Sequence, residues 1–321
     1  MELPVFIKGD TVDDLLKKVF KEILENGTDA EPTKGNTKEL SGVLLKLNNP
    51  LGRISRTEGK GTIFSCLGEL LWYLSGSNQL NQIRYYIQDY HKFSDDGKTI
   101  FGAYGPKLFG ADGQIPAVIK SLQQRSSTRK AVVQLFSSSD IKSHHNDVPC
   151  TCTLQFLVRE GKLSLYTSMR SNDAFKGLPH DIFAFTMLQE LTARKLGLPM
   201  GEYGHFVTSL HLYLEDLERV ELFQNEGWQE KVYMAQMPEG DQTSNVLRLL
   251  KHERELRLLN KIASKKHSDD YWKDLSTLLE IFNLVKSRNF AQLACMENSI
   301  TNIELRSIAV RKIKLSQRSG A

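Results

Sequence analysis

Cysteine is scarce in this 321-residue sequence, which has four: Cys66, Cys150, Cys152 and Cys295. So few thiols in a chain of this length build no disulfide framework and suit a reducing compartment. No apolar run is long enough to span a bilayer, and the opening MELPVFIKGDTVDD has no basic segment ahead of an apolar one. The expectation is a soluble, cytoplasmic protein with no membrane partner. An excess of one charge is missing too, with 42 Lys and Arg against 38 Asp and Glu. Global charge therefore does not argue for nucleic acid, and any anionic partner must be met by a local cluster. Internal repeats and low-complexity segments are absent.

What is present reads as an α+β protein. TVDDLLKKVFKEILENG places Leu15, Leu16, Val19, Phe20, Ile23 and Leu24 at helical spacing, with Thr11 as a cap and Gly27 as the stop. Residues 35–61 read as short strands and loops, followed by a helix over TIFSCLGELLWYLSGS. KAVVQLFS, CTLQFLV and KLSLYTSMR are strand-like, the last two joined through REGK as a hairpin. GLPHDIFAFTMLQELTARKLGLP predicts a long helix buried against the sheet. From residue 241 two charged amphipathic helices and the basic tail AVRKIKLSQRSGA follow, so the division expected is 1–240 and 241–321, the latter a helical extension.

In NDVPCTCTLQF, residues 146–156, Cys150 and Cys152 stand two apart at the front of a strand. A disulfide between them is disfavoured, because their Cα atoms on one strand face lie about 6 to 7 Å apart. His144 and His145 precede the pair, but the spacing matches no familiar zinc pattern. Buried structural thiols, a metal site and a nucleophile stay open on spacing alone. Arg170, in MRSND at the end of the hairpin's second strand, can approach Cys150, and a guanidinium beside a thiol favours the thiolate. With Ser171 it offers a forked cation and a hydroxyl that suit a phosphate.

PC at 149–150, LQFLVREGKLSLYTSMRSNDAFKGLPHDIFAF, HLY at 211–213 and GELLWYLSG at 68–76 together resemble the thymidylate synthase superfamily over residues 60–217. The resemblance implies a large mixed sheet covered by helices, a homodimer, no metal, and 5,10-methylenetetrahydrofolate as one-carbon donor to a pyrimidine nucleoside monophosphate. It makes Cys150 the nucleophile at C6, Glu69 the acid/base group and Tyr104 the tyrosine near the C5 proton. Arg170 and Ser171 take the phosphate, with Arg129 and Lys130 as the pair donated by a partner subunit. Lysine there keeps charge but not the fork. His211 and Tyr213 match the residues for the sugar hydroxyl, and Asp173 belongs with the same substrate group.

The informative departure is Asp181, where synthases carry asparagine. An ionised carboxylate would face uracil O4 acceptor to acceptor, at a cost of roughly 1 to 3 kcal/mol, whereas cytosine presents an amino donor. Deoxycytidylate hydroxymethylases share this pattern and finish with water. Asp181 also reads as an N-cap of a helix beginning at IFAF. MRSND lacks the glutamine usual before the arginine, the turn of SLH that leads into His211 lacks the usual Asp, YYIQDYHKFSDDGKTIFGAYG has no tryptophan, and the chain ends SQRSGA. The expected function is 5-hydroxymethylation of dCMP or CMP. The alternatives are a thymidylate synthase methylating dUMP and a non-catalytic nucleotide-binding homologue.

Overall fold

The computed structural model describes residues 5–32, 35–55, 62–142, 144–227, 230–261 and 268–319. The part of the expected strand-and-loop stretch beyond Ser55 lies outside them. Two compact units, residues 1–232 and 233–321, divide the chain.

In the first unit, β1 (Val5–Gly9), α1 (Val12–Asn26), β2 (Thr28–Ala30) and β3 (Thr37–Leu47) come first. The α1 start is a capping box: Thr11 Oγ1 accepts from Asp14 N at 3.1 Å, while the Asp14 carboxylate accepts from Thr11 N at 3.1 Å. Its buried face is Leu15, Leu16, Val19, Phe20 and Ile23. Gly27 ends the helix by close approach, since a Cβ there would stand 2.4 Å from the Ile23 carbonyl oxygen. Part of the expected run of short strands is one long strand, β3, which accommodates Gly42 at positive φ.

Next come α2 (Ile63–Leu74), α3 (Leu80–Tyr86), a 3-10 segment (Gln88–Phe93), α4 (Gly105–Phe109), α5 (Ile115–Gln124), β4 (Val132–Gln134) and α6 (Ser138–Ile141). The centre is β5 (Thr151–Arg159), β6 (Lys162–Asp173), α7 (Gly177–Leu196) and β7 (Met200–Tyr213), followed by α8 (Leu217–Asn225). All strands join one mixed sheet of order β1-β3-β7-β6-β5-β4, with β2 also on β3. The expected α+β architecture, a large mixed sheet with helices around it, is what forms.

Three local features build the site. The β5–β6 turn places Glu160 at φ 51° and Gly161 at φ 70°, the left-handed pair of a type I′ hairpin. At the other end of β5 the pairing Thr151 with Met169, then Thr153 with Ser168, makes Cys152 the extra residue of a bulge. That interrupts the alternation expected to put Cys150 and Cys152 on one face. Then Asp173 Oδ1 accepts from the N–H groups of Phe175 (2.8 Å) and Lys176 (2.9 Å), turning the chain from β6 into α7.

Because α7 starts at Gly177, Asp181 sits within its second turn, and the expected capping role does not hold. Almost every face of α7 is buried. Glu190 near its end pairs with Arg53, both side chains inaccessible to solvent, an arrangement costly to break on one side only.

The second unit holds α9 (Thr243–Leu259), α10 (Asp270–Lys286), α11 (Phe290–Ala294) and α12 (Ile303–Ser319). The Asp274 carboxylate of α10 accepts from Thr301 N and Asn302 N, each at 2.8 Å, just ahead of α12. The basic tail is helical as far as Ser319. No helix among the described residues is long and apolar enough to cross a membrane.

Candidate active site

Cys150 lies immediately before β5, where the start of that strand meets the ends of the parallel pair β6 and β7. Arg170 donates from Nε to the Pro149 carbonyl at 3.0 Å and from Nη2 to the Val148 carbonyl at 3.2 Å. The same Nη2 stands 3.6 Å from Cys150 Sγ. The guanidinium thus braces the loop that carries Cys150 and sets a cation beside the thiol, and its exposed remainder is available to an anion. Tyr104 OH accepts from Thr151 N (3.1 Å) and Thr151 Oγ1 (3.0 Å). Burial pushes its pKa well above the usual tyrosine value, aided by the charges of Asp181 and Cys150.

Asp181 and Glu69 face this neighbourhood from α7 and α2. Burial, and then the charge of Glu69, raise the Asp181 pKa to about 8. Its Oδ2 accepts from Asn172 Nδ2 at 2.7 Å, the interaction that holds the pKa down most. At neutral pH Asp181 is therefore mainly an acid, which revises the expectation of an ionised carboxylate. The acceptor-to-acceptor penalty against uracil weakens, because an acid offers one donor and one acceptor. Glu69 Oε1 accepts from Tyr73 OH at 3.0 Å and from Tyr90 OH. His180 bridges the Lys176 carbonyl (2.8 Å) and Ser65 Oγ (2.9 Å). Burial disfavours its charged form, but Cys66, Glu69 and that carbonyl outweigh it and push its pKa up to about 10.

Ser171 follows Arg170 on β6, paired with Ser209 of β7. His211 lies beside Asp173 in the parallel register, with its ring 5.2 Å from that of Tyr213. Burial raises the Asp173 pKa, against its backbone donors and the nearby His211. Burial also raises Tyr213, together with the charges of Asp173 and Cys150, so these residues share the strand ends with the thiol. Arg129 and Lys130 do not. Both are exposed ahead of β4, and the Arg129 carbonyl accepts from Gln155, about 16 Å along β5 from Cys150. His145, by contrast, is occupied at the surface, 2.7 Å from Asp95 and stacked 3.8 Å from Phe101. Among the described residues no His, Cys, Asp and Glu group is arranged to hold a metal.

Sequence reasoning missed Asn172, Tyr73 and Tyr90. Tyr73 was detectable, being one helical turn beyond Glu69 on α2. Asn172 and Tyr90 reach their carboxylates through tertiary folding, and only the Asn-Asp turn signal at 172–173 hints at the former.

A sequence model of the thymidylate synthase family matches residues 15–230. Among curated proteins, the deoxyuridylate hydroxymethyltransferase of Bacillus phage SP01 is 27% identical over 224 residues, 65% of this chain and 58% of that protein. The chain thus spans less than two thirds of that relative's length. Among solved structures, the thermostable thymidylate synthase A from Bacillus subtilis superposes with a TM-score of 0.59, covering 68% of this chain and 86% of that one at 22% identity. That likeness is one of fold, while the sequence match extends over nearly the whole first unit: the chain belongs to the thymidylate synthase family.

Proposed function

We propose that the protein transfers a one-carbon unit to C5 of a cytosine nucleotide, dCMP or CMP, and that water completes the 5-hydroxymethyl product. The observation that carries this reading is Asp181 itself, a carboxyl on α7 held by Asn172 at 2.7 Å and pushed by burial to about 8, where an amide would offer no transferable proton. Addition of the Cys150 thiolate to C6 drives charge into the ring. In cytosine that charge reaches N3, which then needs a proton, whereas uracil N3 already has one. A carboxyl protonated near neutrality donates there, and its carbonyl oxygen accepts from the N4 amino group. Arg170 and Ser171 suit the phosphate, and His211, Tyr213 and Asp173 the sugar side. Arg129 and Lys130 would serve the phosphate of a partner protomer in a homodimer. Residues 241–321 would be a helical extension to the catalytic part.

The one-carbon donor would be 5,10-methylenetetrahydrofolate, which supplies the methylene carbon. The Glu69 side of the site offers aromatic faces to a flat ring. There the rings of Tyr90 and Phe93 lie 5.7 Å apart, and Glu69 Oε2 has no protein partner among the described residues. A second reading, hydroxymethylation of a uracil nucleotide, is favoured by the phage relative's name and by the acid form of Asp181, which also complements N3–H and O4.

The test is incubation with methylenetetrahydrofolate and, separately, dCMP, CMP and dUMP, with nucleotide masses compared against Cys150→Ala. A gain of CH₂O on a cytosine nucleotide, absent in the variant, is expected. The same gain on dUMP alone establishes the second reading. A gain of CH₂ on dUMP makes the protein a thymidylate synthase, and no product from any nucleotide leaves a binding protein.

A further inference from the structure

Two hydroxyl groups converge on one oxygen of Glu69. Tyr73 reaches Oε1 from one turn further along α2, and Tyr90 reaches the same atom from the 3-10 segment. Aromatic contacts hold both rings. Tyr73 lies 5.2 Å from Tyr104, and Tyr90 meets Trp72 edge-on at 5.5 Å and Phe93 at 5.7 Å. Burial first, and then the Glu69 charge, raise both tyrosines well above their ordinary range. The phenols therefore stay donors throughout the physiological pH range, and Oε1 is occupied whatever else binds.

The geometry points to Tyr90, together with Tyr73, as a positioning residue that dedicates Glu69 Oε2 to the water that completes the product. This rests on the hydroxymethylase reading and deepens it. Once the one-carbon unit is attached, the nucleotide carries an exocyclic C5=CH₂ and remains bonded at C6 to Cys150 Sγ. The water oxygen bonds to the CH₂ carbon, the double-bond pair moves into the ring, and the released proton passes to Oε2. The ring pair then re-forms C5=C6 as the C6–S bond breaks and Cys150 leaves as thiolate. A carboxylate free to turn would divide its time between two equivalent oxygens and several rotamers. With Oε1 clamped, one oxygen in one orientation remains for the water.

The experiment is rapid-quench single turnover of the full chain with methylenetetrahydrofolate and the preferred nucleotide, comparing wild type, Tyr90→Phe and Tyr73→Phe. Intact-protein mass measures the Cys150-linked adduct, and nucleotide mass measures the product. Phenylalanine keeps the ring and removes the donor, so adduct formation and KM should stay within about twofold. Release as hydroxymethyl nucleotide should slow by about tenfold, and the adduct should accumulate. Tyr73→Phe should act in the same direction, which keeps the proposal testable if Tyr90→Phe folds poorly. A hydroxymethyl product released at the wild-type rate by both variants, or an equal slowing of adduct formation and release, overturns the clamp while leaving the function intact. A methyl product or no product from the wild type overturns both, because no water is captured.

Discussion

At the scale of single residues the decisive pair is Asp181 with Asn172. The Asp181→Asn variant should lose cytosine hydroxymethylation by about a hundredfold or more, because the proton for N3 goes with the carboxyl; steady-state rates on dCMP and CMP check this. Wild-type activity should decline on the alkaline side as Asp181 ionises near pH 8. Removing the Asn172 donor with Asn172→Leu should move that limb to higher pH, since its hydrogen bond stabilises the charged form. Stability follows the same linkage. Between the ordinary carboxylate pKa of about 4 and the folded value of about 8, the folded chain keeps a proton that the unfolded chain has released. The contribution of Asp181 to stability therefore falls as pH rises through that window and is level above it. The Tm of Asp181→Asn minus that of wild type should accordingly rise by several °C between pH 5 and pH 8, and a difference that falls with rising pH would contradict the assignment.

At the scale of elements, α2 carries Glu69 and depends on a bare backbone position next to it. A Cβ at Gly68 would lie 2.1 Å from Cγ of Tyr86, inside the ring that α3 lays over α2. Gly68→Ala should force the helices apart and cost about 1 to 3 kcal/mol, a fall of several °C in Tm, with kcat falling as Glu69 is displaced; calorimetry and turnover measure the two effects. Much at this scale was legible in the sequence. The Thr11 cap of α1, the REGK hairpin and the buried α7 follow from local chemistry between neighbours in the chain. The reach of local chemistry also explains the errors. The bulge at Cys152 depends on where β6 pairs, and the α7 start depends on the Asp173 turn rather than on a cap at Asp181. Cys150 and Arg170 were readable as neighbours because a hairpin brings them together. Tyr90 was not, because no periodicity links a 3-10 segment to a helix earlier in the chain.

At the scale of the whole molecule, the position of Arg129 matters most. Its carbonyl meets Gln155, about 16 Å along β5 from the thiol, so within one chain it stands apart from Arg170 and Ser171. In a homodimer in which each protomer lends this arginine, Cys150→Ala and Arg129→Ala chains should each be nearly inactive alone. Mixed after reversible unfolding, they should recover about a quarter of wild-type turnover, since half the random dimers are mixed and each holds one intact site. No recovery would place Arg129 outside the site. The edge-on contact of Trp72 with Tyr90 also gives the molecule an optical property. The sequence has three tryptophans, so replacing Trp228 and Trp272 with Phe leaves a single indole, set against the ring that holds Glu69. Its emission should then report, without a label and in real time, on anything that binds beside Glu69.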